Sequence, residues 1–154
     1  MNRNNRLPAD DSMEPEQADS SQAECDSAFF QQLQEALHDC VLPLFEETAR
    51  HAQASGIEAV IELAIDNRDE PRISLNARHP GEADYSGYSI IGDMATHSVI
   101  HREFYADNAL TRRQVGLLPS INQKVIDTHL ATLFSKAFAL SLPHLLQRHP
   151  AGFW

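Results

Sequence analysis

The amino-acid sequence predicts an α+β fold in which an antiparallel four-stranded sheet lies between an N-terminal kinked helix and a long C-terminal helix. Apolar residues recur every three or four positions towards both ends of the chain, and they alternate with polar residues in the middle. The alternating segments follow one another with hairpin-length connections, which favours antiparallel pairing with the helices packed on one sheet face. We therefore expect one sheet and one core.

The first residues differ in composition from the rest of the chain. Residues 1–25 are rich in Asp, Glu, Ser, Gln and Asn and contain few large hydrophobic side chains, so they bury too little apolar surface to offset the entropy cost of ordering. We predict a disordered acidic tail over 1–25 and a single α+β domain over 26–154. At 154 residues, the chain has a suitable length for one domain.

The first helix is predicted from a helical apolar stripe that starts after the tail. Asp26 or Ser27 is the expected N-cap and Gly56 the expected stop signal. Pro43 lies within the stripe, which continues in phase beyond it, and this pattern predicts a kink or two abutting helices. The stripe consists of Phe29, Phe30, Leu33, Ala36, Leu37, Cys40, Val41, Leu44, Phe45 and Thr48.

Two alternating segments then predict a β-hairpin. In IEAVIELAID and in PRISLNAR, apolar side chains occupy every second position, as in strands with one buried face. We expect Leu63 to lie opposite Leu75 and Asp66 opposite Arg72, because this register pairs apolar residues on one face and opposite charges on the other.

The remaining elements complete the predicted fold. Residues 85–94 and 96–105 are rich in β-branched and aromatic side chains and are expected to form strands three and four. Residues 106–120 are expected to form a connector. Ser120 is a suitable N-cap for a long helix with an apolar stripe that ends near Pro143.

A ligand pocket is one of the functional hypotheses, and it starts from THSVIHREFY. His97 and His101 lie four residues apart, which would suit a shared metal ion on a helix. The segment favours a strand, where four residues span about 13 Å at about 3.3 Å each, so we expect no metal site and no cofactor. The pocket hypothesis places five side chains between sheet and helices: Tyr88, His97, His101, Glu103 and Tyr105.

DNA binding is a second hypothesis, based on the basic final third of the chain. Residues 101–154 hold 6 Lys/Arg and 3 Asp/Glu, whereas residues 1–100 hold 6 and 19. INQKVIDTHLATLFSKAF resembles the recognition-helix region of LuxR-type helix-turn-helix domains. The chain departs from that pattern because Pro119 interrupts it and the upstream interval is too short for the scaffold helices, so the family's function is not transferred. The DNA-binding candidates are Arg112, Arg113, Lys124, His129 and Lys136.

Protein binding is the function that we expect from the sequence. No G-x-S-x-G elbow, phosphate loop or dinucleotide fingerprint is present, which favours a non-enzymatic adaptor, chaperone-like protein or regulator. The net charge of −10 disfavours general binding to nucleic acids or anionic membranes. We expect a cytoplasmic protein with no membrane partner, because no apolar run would span a bilayer and two cysteines make no disulfide framework. Another protein and a second copy of the chain are the expected partners, bound through Phe138, Leu142, Leu146 and Trp154.

Overall fold

The fold, taken from a computed structural model, begins with a helical segment of three parts. The structure describes the backbone of residues 7–152 and the side chains of residues 20–152. The segment comprises α1 (Leu7–Ala36), a π-helical turn (Leu37–Val41) and α2 (Leu42–Ala54). Within residues 7–152, no helix has both the length and the apolar character that crossing a bilayer requires.

The interruption predicted near Pro43 is present as the π-helical turn. Pro43 lies in the first turn of α2, where its missing N–H is tolerated. The N–H of Leu42 donates to the carbonyl of Leu37, five residues back, which widens the helix by one residue just before the proline. The apolar stripe continues through this turn because Leu37 and Val41 are both buried.

The first helix begins earlier than its sequence signals indicate. The prediction of an N-cap at Asp26 or Ser27 is wrong, because α1 begins at Leu7 and passes through both positions. The Asp26 carboxylate instead accepts a 2.6 Å hydrogen bond from Nε2 of His97. The predicted disorder of residues 1–25 and the domain boundary at residue 26 stay predictions, because the side chains of residues 1–19 lie outside the described residues.

The sheet has five antiparallel strands in the order β1-β2-β3-β4-β5. The prediction of four strands is wrong, because part of the expected connector forms β5. This strand is at an edge of the sheet and is exposed on both faces, so it has no need of the alternating pattern from which the other strands were predicted. The strands are β1 (Glu58–Ala64), β2 (Arg72–Arg78), β3 (Ser86–Asp93), β4 (Ser98–Tyr105) and β5 (Leu110–Gly116).

The predicted hairpin is present, but its register differs from the prediction by two residues. Leu63 lies opposite Ile73 rather than Leu75, and Ala64 rather than Asp66 lies opposite Arg72. A shift of two residues keeps every side chain on its own face, so alternation alone does not distinguish the two registers.

The helices α2 and α3 (Gln123–Phe138) pack on one face of the sheet. Tyr88 lies at the centre of this face, where the ring of Phe45 from α2 is 5.6 Å from it and the ring of His129 from α3 is 4.8 Å from it. We call this the inner face. Its buried residues on β2, β3 and β4 are Ile73, Leu75, Ala77, Ser86, Tyr88, Ile90, Gly92, Val99, His101, Glu103 and Tyr105.

The chain after β5 forms a short 3-10 turn and two helices. The turn is Leu118–Ser120, and α4 is Pro143–Arg148. The N-cap of α3 is Asn122, whose side-chain oxygen accepts from the N–H of Val125. The predicted N-cap, Ser120, instead bonds to a side chain of the sheet.

An ion pair with a buried carboxylate anchors α4 to α3. Asp127 of α3 is fully buried, and its two carboxylate oxygens accept from Nη2 and Nε of Arg148, each at 2.9 Å. Nε2 of His149 donates to the same carboxylate at 2.7 Å. Arg148 also contacts Glu47 of α2 at 2.5 Å. The last helix is therefore held by charge as well as by apolar packing.

A Gly92→Ala substitution is expected to reduce the free energy of unfolding by about 1–3 kcal/mol, because a methyl group there overpacks the core. A Cβ at this position would overlap Cδ2 of Leu33, which is fully buried, and would lie 3.1 Å from Cγ of Pro71. Urea denaturation measures the loss.

The Leu33→Ala variant tests the cause of this loss. Alone it is expected to cost about 2–5 kcal/mol by leaving a cavity. In the double variant the added methyl group has room, so the two losses should fall short of additivity by at least about 1 kcal/mol. Strict additivity would show that the contact with Leu33 is not the reason.

Candidate functional site

Four of the five predicted pocket residues lie together on the inner face under α3. We call them, with two further side chains, the polar cluster. It consists of Tyr88 of β3, His101, Glu103 and Tyr105 of β4, Ser120 of the 3-10 turn and His129 of α3. Sequence reasoning did not place Ser120 here, and it assigned His129 to DNA.

One hydrogen-bonded chain in the polar cluster runs from Ser120 through His101 to Tyr88. Nε2 of His101 is 2.9 Å from Oγ of Ser120, and Nδ1 is 2.7 Å from the Tyr88 hydroxyl. Burial and the neighbouring His129 lower the pKa of His101 to about 4, so its ring is neutral at pH 7. Burial raises the pKa of Tyr88 well above its usual value, so the phenol is neutral too. The chain thus resembles a serine-histidine pair, but no carboxylate orients the imidazole.

The second chain in the polar cluster is centred on Glu103. Its carboxylate accepts from Nδ1 of His129 at 2.6 Å and from the Tyr105 hydroxyl at 2.5 Å, and Arg112 lies 3.8 Å away. Burial alone would raise the pKa of Glu103, but the hydrogen bonds from His129 and Tyr105 outweigh it and hold the pKa below its usual value. A negative charge under α3 is therefore compensated from three sides.

The polar cluster is closely stacked, and its members on the sheet are buried, whereas Ser120 and His129 are half-buried. The ring of His129 lies 4.8 Å from that of Tyr88 and 5.1 Å from that of His101. His101 is only 2% exposed and Glu103 only 4%. A substrate would have no direct access to these groups, so the arrangement fits a structural role that fixes α3 on the sheet.

His97, the fifth predicted pocket residue, lies elsewhere. It precedes β4 in a turn with φ 53°, stacks on Phe29 at 5.0 Å and donates to Asp26 of α1. The two histidines of the motif thus belong to different clusters. Over the part of the chain that the structure describes, no group of three or more His, Cys, Asp or Glu side chains is arranged to hold a metal ion.

Three of the four predicted protein-binding residues lie near the C-terminal end of the described fold. Leu142 is 2% exposed and belongs to the core, whereas Leu146 is 50% exposed. Both line a groove of about 440 Å³ between α3 and α4. Phe138 is half-buried and contacts the rings of His79 and Phe134. Trp154 lies outside the described residues.

The five predicted DNA-binding residues do not form one surface. Arg112 and Arg113 are consecutive in β5 and therefore point to opposite faces. His129 points into the polar cluster. Lys124 and Lys136 lie near opposite ends of α3. The segment before α3 is a strand and a 3-10 turn, so the helix pair of a helix-turn-helix is not found between residues 106 and 138.

Sequence reasoning missed a surface around the edge strand, which we call the β5 surface. It comprises the residues of β5, Leu117, and the outward-facing Arg102 and Phe104 of β4. Three of its apolar residues, Leu110, Val115 and Leu117, are at least 48% exposed. Arg102 and Phe104 alternate with His101 and Glu103, and this alternation indicates that they face the opposite side of the sheet. LTRRQVG has no alternating apolar pattern, so β5 was not predicted from it.

A shallow cavity lies beside the β5 surface on the outer face of the sheet. It has a volume of about 350 Å³ and is open above Gly87 of β3. A side chain at Gly87 would overlap Asn76 and lie 2.9 Å from the carbonyl oxygen of Leu75, so glycine permits the close approach of strands here. The lining residues are Asn76, Gly87, Ser89, Arg102, Phe104 and Thr111.

Comparison of the chain with protein-family models, with curated proteins and with solved structures gave no match. The fold itself defines a domain of the α+β class with a five-stranded antiparallel sheet. Its function is inferred below from the residues on its surfaces.

Proposed function

We propose that this protein is a protein-binding module that takes up an extended segment of another protein along the free edge of β5. One observation carries the proposal. Six of the seven β5 residues are exposed, and no strand within residues 7–152 pairs with the outer edge of β5. An edge strand presents unpaired N–H and C=O groups, and an added strand satisfies them.

The opposite edge of the sheet is less suited to strand addition. At β1, Nε2 of Gln53 donates to the carbonyl of Ala59 and occupies part of the edge. Both edge strands carry two exposed charged residues, and both have exposed apolar side chains. On β5, the side-chain contact with the backbone, from the N–H of Leu110 to Oδ1 of Asn108, is at the first residue of the strand, whereas that of Gln53 lies within β1. We therefore take β5 as the better acceptor.

The polar cluster supports a binding role because its hydrogen bonds join the sheet beside β5 to α3 and to the 3-10 turn. β5 pairs along its whole length with β4, and β4 is tied to α3 through the bond between Glu103 and His129. A strand that is already held in an extended conformation loses little entropy when it pairs with a second strand. Burial of His101 and Glu103 also favours binding over catalysis.

Photocrosslinking tests the proposed surface. A benzoylphenylalanine at Val115 of the full-length chain, in the cells that produce it, is expected to yield one defined adduct because this side chain lies beside the free edge. Leu63 of β1 is the matched control, with 59% exposure against 63% for Val115. The Val115 probe should give at least tenfold more adduct than the Leu63 probe, measured by mass spectrometry.

The same experiment distinguishes the other interfaces. A third probe at Leu146 reports on the groove between α3 and α4, where the C-terminal interface was expected from the sequence. Adducts at Leu146 alone, or equal adducts at Val115 and Leu63, would overturn the proposal. An adduct of twice the protein's mass at Val115 would assign the edge to a homodimer, the other partner that we expect.

A further inference from the structure

We propose that the segment taken up by β5 is acidic, with an Asp or Glu side chain opposite Arg113 and an apolar side chain opposite Val115. This inference rests on the proposed function, which identifies the strand but not the chemistry of its partner. It is drawn from the charges and the exposed apolar residues that the β5 surface presents on the outer face of the sheet.

Two arginines without a carboxylate partner lie side by side on this surface. Arg102 of β4 and Arg113 of β5 are directly opposite each other in the register. Arg72, Arg78, Arg112 and Arg148 each lie within 4 Å of a carboxylate, whereas no described acidic side chain lies this close to Arg102 or Arg113. Like charges in opposite positions repel. A carboxylate from an added strand would relieve this repulsion and accept charge-assisted hydrogen bonds from the guanidinium groups.

Apolar side chains flank the arginine pair with the period of a strand. Val115 lies two residues from Arg113, on the same face, and opposite Ile100. Phe104 lies on that face too, two residues from Arg102, and is 38% exposed. An added strand with an acidic side chain at one position and apolar side chains two residues away would match both features, because residues two apart share a face.

Charge also determines which edge and which occupant are favoured. Glu58 and Glu62 of β1 would repel an acidic segment, so such a segment is directed to β5. A second copy of the chain matches this surface less well. If two β5 strands paired antiparallel about Arg113, this arginine would lie opposite its own copy, which is a repulsive arrangement. A foreign acidic segment therefore fits the surface better.

Three labelled heptapeptides test the inference on the full-length protein. The peptide Thr-Val-Thr-Glu-Thr-Val-Thr reads the same in both directions, so its pattern suits either strand orientation. The matched peptides carry Gln or Lys in place of the central Glu. We expect the Glu peptide to bind at least fivefold more tightly than the Gln peptide by fluorescence anisotropy, with amide shifts in NMR spectra concentrated in residues 110–117.

Charge reversal in the protein provides the matched variants. In Arg113→Glu the preference should reverse, so that the Lys peptide binds more tightly than the Glu peptide. Arg50→Glu makes the same change in charge on the exposed face of α2 and should leave the fivefold preference intact. A reversal in both variants would show an effect of net charge alone and would overturn the inference.

The remaining outcomes separate this inference from the proposed function. Equal affinities for all three peptides, with shifts in β5, would overturn the acidic partner and leave strand addition standing. Absence of binding by every peptide, or shifts confined to other elements, would overturn the proposed function as well. A dimer that dissociates in Arg113→Glu, seen by sedimentation, would identify a second copy as the occupant and overturn the acidic partner.

Discussion

Replacing Asp127 with alanine is expected to reduce the free energy of unfolding by about 3–5 kcal/mol, because it removes the fully buried carboxylate of an ion pair and leaves the partly desolvated Arg148 without that partner. Asp127 is fully buried and accepts three hydrogen bonds, two from Arg148 and one from His149. Without the carboxylate, the guanidinium of Arg148 keeps its contact with Glu47 but loses the two hydrogen bonds that hold it against α3. Urea denaturation at pH 7.5 measures the loss.

Two variants separate the buried ion pair from surface charge. Glu47 contacts the same guanidinium but its side chain is 31% exposed, so Glu47→Ala is expected to cost about 1 kcal/mol or less. The double variant Asp127→Leu with Arg148→Met removes both charges and should recover most of the loss, because apolar side chains of similar size replace a buried pair well. Equal losses for Asp127→Ala and Glu47→Ala would contradict this account.

The apolar pattern of the sequence was sufficient to predict the class of fold but not all of its pairings. Alternation indicates which face of a strand is buried, so the inner faces of β2 and β4 were predictable. It carries no information about shifts of two residues, which is why the predicted pairing of Leu63 with Leu75 is wrong. It also vanishes where both faces meet solvent, which is why β5 was missed.

The candidate sites depend on contacts between distant elements, and their predictability varies accordingly. His101, Glu103 and Tyr105 are two residues apart in one strand, so their shared face followed from the sequence. His97 was expected on that face, but a positive φ in the turn before β4 takes it out of the alternation. The positions of Ser120 and His129 depend on how α3 docks on the sheet, and no local pattern encodes that docking.

Acid is expected to destabilise this fold from about pH 6.5 downwards, before carboxylates titrate. His101 and His144 both have a pKa of about 4 in the folded protein, mainly because they are buried. In the unfolded chain the pKa of histidine is about 6.5. Between these values the unfolded state binds protons that the folded state does not, so the free energy of unfolding decreases as the pH falls.

The environment of His144 explains why this second histidine stays neutral. Its Nε2 lies 3.1 Å from the hydroxyl of Thr48, and its ring stacks on that of His51 at 4.0 Å. Its Nδ1 is buried and has no hydrogen-bond partner within the described residues. Burial is the largest cause of its lowered pKa; His51 and Arg148 lower the pKa further, whereas Glu47 and Asp127 act in the opposite direction.

The loss of stability on acidification follows from the difference between the folded and unfolded pKa values, and the contributions of His101 and His144 add. Each histidine is expected to cost about 2 kcal/mol of stability between pH 7.5 and pH 5. The variants His101→Gln and His144→Gln should each remove about half of this pH dependence, and the double variant should remove most of it. Gly92→Ala changes no titratable group, so it should lower stability equally at both pH values. Urea denaturation across this range measures the slope, and an unchanged slope in the double variant would assign the acid sensitivity to other groups.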